Sequence, residues 1–201
     1  MEEEKNTRQH LIEAATEEFL AQGFEKASLR KICEKAGVTT GALYFFFENK
    51  EDLFCQIVEP VLDQIERLGK ELVDTERNDI SLGPDMDKKL MEMLWRNRRE
   101  VQLLLEKSAG TRYSDFKDKI YSQMEGVFSE FFQEFGNMGE EKELIRILVE
   151  MRMKGYIELI NGEYSMEEML RLTEMVGCYA DSGFQNLMKK YGESVKQTAE
   201  Q

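Results

Sequence analysis

Residues Thr39–Lys50 read TTGALYFFFENK, with three phenylalanines in a row behind a tyrosine and one residue short of an Asn-Lys pair. Successive side chains on an α-helix point about 100° apart around its axis. If Leu43 and Phe47, four apart, face a core, then Tyr44, Phe45 and Phe46 cannot all follow them. The stretch therefore predicts a short helix, N-capped by Thr39, that buries one edge and leaves large rings over for another purpose.

Upstream, Ser28 is a good N-cap for a second short helix, LRKICEKA, which Gly37 closes. Ile32 and Ala36 form its inner face, with Leu29 and Cys33 beside them. Two helices of about two turns joined through a glycine turn have the proportions of a helix-turn-helix. Before them, Leu11, Ala15 and Phe19 recur at helical spacing in a helix beginning near Thr7. Gly23 suits its end, and Phe24 can fold back onto the last turn.

Downstream, Glu48-Asn49 breaks the third helix and Lys50 starts a fourth, expected to run to about Thr75 with Pro60 as a kink. A polar linker, NDISLGPD, follows. Further helices are expected over about 84–97, 100–109, 113–135, 140–161 and 166–191, the last headed by a Ser165/Glu168 capping box. With only two prolines in 201 residues and abundant Leu, Glu, Met, Lys and Phe, the fold class is all-α. No apolar run approaches the roughly 20 residues of a membrane span. The acidic start, MEEEKNTRQH, lacks a secretory apolar segment, and Cys33, Cys55 and Cys178 form no CxxC. A cytoplasmic location is the expectation.

The formal charge is −13, which repels nucleic acid at long range. Any DNA binding needs a local cationic face, and Lys26, Arg30, Lys31, Lys35 and Lys50 can supply one around the two short helices. Residues 1–55 hold seven Lys/Arg and eleven Asp/Glu, so even this segment is not basic overall. With a Debye length of roughly 8 Å, distant carboxylates matter less than groups at the contact.

In a helix-turn-helix the second helix enters the major groove with its first residues nearest the base edges. Thr40, Gly41 and Ala42 are small enough for close approach, the Thr40 hydroxyl can reach a base or phosphate, and the Ala42 methyl can meet a thymine methyl. Tyr44 offers a hydroxyl to a phosphate, Phe45 and Phe46 can pack on sugars or thymine methyls, and Lys50 adds a charge at a helix N-terminus.

Residues about 7 to 54 resemble the DNA-binding domain of the tetracycline-repressor (TetR) family of bacterial transcriptional regulators. The resemblance is carried by the helix ending in QGF, the segment SLRKICEKAGV, then TTGALY, Phe47, Lys50 and Leu53. It implies phosphate contacts from Ser28, Thr39, Tyr44 and Lys50. It implies base-side contacts from Thr40, Gly41 and Ala42, from Phe45, and from Arg30. One position departs from the family: Phe46 stands where His or Tyr is common, so van der Waals contact replaces a hydrogen bond there.

The implied organisation is a helix-turn-helix domain over 1–54 and a helical ligand-binding and dimerisation domain over 55–201. The implied function is a ligand-responsive regulator, a repressor, that binds a palindromic double-stranded DNA operator as a homodimer and is released by a small-molecule effector. Apolar stripes on the last two helices are candidates for the dimer interface, through Leu148, Met151, Gly155, Leu159, Leu172, Val176, Tyr179 and Gly183. Middle helices rich in Met and aromatics are candidates for the effector pocket, through Met91, Trp95, Leu104, Tyr113, Phe116, Tyr121, Met124 and Phe128. The rival reading is a helical ligand-binding or protein-interaction module without sequence-specific DNA binding, which the acidic charge would suit.

An enzyme is not expected. His10 is the single histidine, with no Ser/His/Asp or Cys/His set around it. Gly-rich phosphate loops, clustered Cys/His metal ligands and the Glu-x-x-His pairs of a di-iron bundle are all missing, so neither a metal nor another cofactor is expected.

Overall fold

A computed structural model describes the backbone of residues 2–78, 83–136 and 141–199. Among the described residues the regular structure is entirely helical, as α1 (Glu2–Lys26), α2 (Leu29–Ala36), α3 (Thr40–Phe46), α4 (Lys50–Asn78), α5 (Gly83–Arg96), α6 (Arg98–Glu106), α7 (Phe116–Gly136), α8 (Lys142–Asn161) and α9 (Met166–Ala199). The chain forms two compact units. One comprises residues 1–66 and 97–117, the other 67–96 and 118–201. The division does not fall after residue 54, because α6 and the turn behind it rejoin the N-terminal helices.

In the first unit, Leu11, Ala15 and Phe19 of α1 are fully buried. Gly23, at φ 73° and ψ 161°, interrupts the regular helix, a conformation that L side chains avoid. The break turns Phe24 inward, where its amide donates to Lys107 O at 3.0 Å. Phe19, Phe24 and Phe54 then meet in a three-ring cluster, with centroids 5.3–5.9 Å apart. The start of α1 lies ahead of the expected Thr7, with Glu4 in a first turn that favours acids.

Both short helices are capped as their residues dictate. Ser28 Oγ accepts from the Lys31 amide, and Gly37 closes α2 in the left-handed conformation at φ 70°. Thr39 Oγ1 accepts from the Ala42 amide at 3.3 Å. Pro60 lies inside α4, which continues past the expected Thr75 to Asn78.

The helix expected from residue 113 begins instead at Phe116. Ser108, Thr111 and Tyr113 form a hydrogen-bonded turn ahead of it, in which Thr111 Oγ1 donates to Ser108 O at 2.7 Å. Gly110 within that turn has φ 86°, and a Cβ there would stand 2.8 Å from Glu25 Cγ. The left-handed φ favours glycine here, and a Cβ would also have to displace the Glu25 side chain.

In the second unit, Phe132, Ile145, Val149, Met153 and Met188 of α7, α8 and α9 form the core. Phe184 packs edge-on to Phe128 and Phe132 at 5.6 and 5.7 Å. The expected capping box heads α9: Ser165 Oγ accepts from the Glu168 amide at 3.2 Å, while Glu168 Oε2 accepts from the Ser165 amide at 3.0 Å. The Ser165 amide and hydroxyl, both donating to Glu168 Oε2, hold its carboxyl below its ordinary pKa. Residues 137–139 of the expected break and 79–82 of the expected linker fall outside the described residues, while the linker's ends, Asn78 and residues 83–85, belong to α4 and α5.

Candidate functional site

Residues of α3 divide as their spacing requires. Leu43 is fully buried and Phe47, the C-cap, is 1% exposed, whereas Tyr44 is 54% and Phe45 72% exposed. Phe46 is half-buried and supports Phe45 edge-on at 4.9 Å. Phe47 leaves the helix in an extended conformation, φ −136° and ψ 131°, which carries its ring back to the core beneath the Arg8 guanidinium at 5.6 Å. A helix of seven residues thus holds its own end down and presents a tyrosine and a phenylalanine outward.

The small residues Thr39, Thr40 and Gly41 at the head of α3 are exposed, and Ala42 is half-buried. Thr40 also hydrogen-bonds Cys33, whose thiol is pushed up mainly by burial and pulled back by that bond. Ser28 is half-buried, and its hydroxyl and amide are engaged by the Lys31 amide and by Glu18 Oε1.

Three of the cations expected around this face, Arg30, Lys35 and Lys50, have partners within the chain. Arg30 Nε donates to Glu34 Oε1 at 2.9 Å, one turn along α2, and Lys35 pairs with Glu17. Both pairs are well exposed and so worth about 0–1 kcal/mol each. Exchanging them for phosphates is inexpensive. Lys50 is held differently. Its ammonium donates to the carbonyls of Glu25 and Ala27 at 3.1 and 3.2 Å and sits 4.6 Å from the Phe24 ring centroid. It binds the start of α4 to the end of α1, a structural task that sequence reasoning missed. Of its three protons, one remains for a phosphate.

The second unit contains a cavity of about 430 Å³ walled by α4, α5, α7, α8 and α9. Of the residues expected in an effector pocket, Met124 and Phe128 line it. Leu104, Tyr113 and Phe116 belong to the first unit and serve its interior. Leu104 and Phe116 are buried there, and the Tyr113 hydroxyl donates to Glu59 Oε1 at 2.8 Å. Met91 is fully buried, Trp95 does not line the cavity, and Tyr121 packs against the core of its unit.

Several residues expected at a dimer interface also stand on the cavity wall: Leu148, Met151, Val176, Tyr179 and Gly183. Gly155 and Leu172 are half-buried away from its lining, and Leu159 is buried. A polar group that the sequence reading did not single out completes the cavity wall. Asp87 on α5 is 3% exposed, and Arg152 Nη2 on α8 donates to both its oxygens at 3.0 and 2.9 Å. The Tyr156 hydroxyl donates to Asp87 Oδ1 at 2.8 Å and accepts from Arg152 Nε at 3.0 Å. Burial and the Asp87 charge push the Tyr156 phenol up, against the Arg152 charge. The one hint in the sequence was an acid four residues ahead of Met91 on the inward edge of a helix.

Among the described residues no cluster of His, Cys, Asp and Glu could hold a metal ion, and no helix is long and apolar enough to cross a membrane.

Comparison with known proteins agrees with this geometry. The family model described as bacterial regulatory proteins, tetR family, matches residues 11–57. The HTH-type transcriptional regulator AcrR of Shigella flexneri is 45% identical over 58 residues, 29% of this chain and 27% of that protein. The HTH-type transcriptional regulator TtgR of Pseudomonas putida is 35% identical over 83 residues, 41% of this chain and 38% of that protein. The matched stretch thus spans about a quarter to two fifths of these relatives.

Over the whole chain the likeness is one of fold. A transcriptional regulator of Aquifex aeolicus superposes with a TM-score of 0.56 at 19% identity, covering 86% of this chain and 99% of that one. A TetR-family regulator of Chloroflexus aurantiacus does so with 0.55 at 14% identity, covering 94% and 93%. The likeness to the tetR family of bacterial regulatory proteins is thus carried by the N-terminal helix-turn-helix, residues 11–57.

Proposed function

We propose that this chain is a ligand-responsive transcriptional repressor that binds a palindromic operator as a homodimer in the cytoplasm and releases it when a small molecule occupies the cavity. The observation that carries the reading is the pair of exposed rings, Tyr44 and Phe45, between the buried Leu43 and Phe47. Exposed aromatics in succession call for a covering surface, and the small residues ahead of them suit a groove floor. A module without DNA binding leaves this helix without a purpose. Thr40, Gly41, Ala42, Phe45 and Arg30 are assigned to the base side, Ser28, Thr39, Tyr44 and Lys50 to phosphates, and Phe46 supports the Phe45 ring.

Selection from random DNA by the purified protein tests this directly. The expected product is an inverted repeat with half-sites about one helical turn apart or a multiple of it. Enrichment of no sequence, even at low salt, would overturn the proposal. Loss of the Tyr44 hydroxyl contact in Tyr44→Ala is expected to cost about 1 kcal/mol per half-site, or roughly 30-fold in Kd for the dimer, and about equally on all sequences. Salt titrations of wild type and variant check this. The number of phosphates neutralised by cations sets the slope, which should stay the same in the variant because the lost hydroxyl carries no charge.

The dimer is proposed to form on α8 and α9, where Ile147, Met151, Met175, Val176 and Tyr179 leave a large apolar face exposed. Two-fold symmetry matches a palindrome. Sedimentation of Met151→Glu/Val176→Glu is expected to show monomers where the wild type sediments as a dimer. A variant that stayed dimeric would place the interface elsewhere.

Release is proposed to run through α4, which begins at Lys50 and lines the cavity with Leu72 and Val73. A ligand favouring one position of that helix changes operator affinity, and operator changes ligand affinity by the same factor. Equal ligand affinities with and without operator would rule the coupling out.

A further inference from the structure

We propose that the cavity of the second unit takes a lipophilic cation, held by Asp181 against a wall of aromatic rings; this rests on reading the cavity as the effector site. Asp181, on α9, lines the cavity, and its Oδ2 is sealed from solvent and accepts no hydrogen bond among the described residues. Buried polar atoms are almost always partnered, so an orphaned carboxylate oxygen beside an open volume signals a donor or a positive charge supplied from outside.

The neighbouring charges decide between cation and anion. Two side chains facing Asp181 bear charge, Arg152 on α8 and Asp87 on α5. They neutralise each other, since Arg152 spends Nη2 on Asp87 and Nε on Tyr156. Arg152 is therefore committed and is a poor receptor for an anion. With that pair cancelled, the ionised Asp181 carboxylate is the one net charge of the cluster.

Burial pushes the Asp181 carboxyl up from its ordinary range, helped by the Asp87 charge and opposed by Arg152. A carboxyl raised in this way stabilises the fold below the ordinary aspartate pKa and loses that contribution as pH rises through its folded value. A bound cation reverses the penalty by stabilising the charged form.

The rest of the wall suits a bulky apolar ion. Phe128 and Phe131 pack edge-on to Phe184 at 5.6 and 6.3 Å, and all three rings line the cavity. Ring faces attract cations, most strongly when water is excluded. A volume of about 430 Å³ is that of a drug-sized site.

Calorimetry on the full chain, with tetraphenylphosphonium and its near-isosteric anion tetraphenylborate, tests the charge preference. The phosphonium is expected to bind at least about tenfold more tightly than the borate, and Asp181→Asn is expected to weaken it by about tenfold or more. Binding of the neutral dye N-phenyl-1-naphthylamine should be unchanged in Asp181→Asn, which also shows that the variant's cavity is intact. The variant is expected to melt no lower than wild type at neutral pH, because it removes an unpaired buried carboxylate. Equal phosphonium affinity in wild type and variant, or borate binding as tight as phosphonium, would overturn the cation assignment while leaving the effector site standing. Failure of all three probes to bind would overturn the effector site itself.

Discussion

Replacing Arg152 with methionine is expected to destabilise the second unit by about 3–5 kcal/mol, because it strands the Asp87 carboxylate without its counter-charge. Asp87 is 3% exposed and receives two hydrogen bonds from the Arg152 Nη2 atom. The Tyr156 hydroxyl alone cannot replace them. The cost comes from breaking the pair rather than from the worth of the pair. The double replacement Arg152→Met/Asp87→Leu is therefore expected to recover most of the lost stability. Trp95, the single tryptophan, lies in this unit on α5, so its fluorescence in urea follows the unit containing the pair. If the single replacement cost less than about 1 kcal/mol, the cluster would be solvated and the cavity wall wetter than the geometry indicates.

Phe47→Ala is expected to cost the first unit about 3–5 kcal/mol, the range for truncating a fully buried phenylalanine. Phe47 is 1% exposed and closes the core beneath Arg8 at the point where α3 ends. Operator binding should be lost with it, since the fully buried anchors of α3 are Leu43 within the helix and Phe47 just beyond it. Phe45→Ala provides the contrast two residues away. Its ring is 72% exposed, so stability should move by less than about 0.5 kcal/mol. DNA affinity should still fall. Parallel thermal melts and operator titrations of the two variants separate scaffold from contact. Equal losses of stability would contradict the division of α3 into a buried and an exposed edge.

Much of the first unit was legible because its signals are local. The Ser28 cap, the left-handed Gly37, the Thr39 cap and the four-residue spacing of Leu43 and Phe47 act within a turn or two, and the structure follows each of them. Local signals also carry the Ser165/Glu168 box at the head of α9. They gave no warning that Lys50 would reach back to the carbonyls of Glu25 and Ala27, because those acceptors become neighbours only after α1 turns at Gly23.

Helical periodicity in the remaining chain identified apolar faces but not their destinations. Leu104, Tyr113 and Phe116 read like Met124 and Phe128 as pocket lining, yet three serve the first unit's interior and two line the cavity. The stripe on α8 and α9 was legible as a stripe, while its division among core, cavity wall and exposed face required the packed helices.

By itself, then, the sequence determined the all-helical class and a helix-turn-helix with one ring-bearing edge, since caps, glycines and four-residue spacing are decided by neighbours along the chain. Only the tertiary structure decided that Asp87 meets Arg152, 65 positions away, and that Asp181 joins them beside an aromatic cavity. Charges so far apart in sequence carry no mutual signature: their burial and their partners come from helices that pack only once the chain has folded.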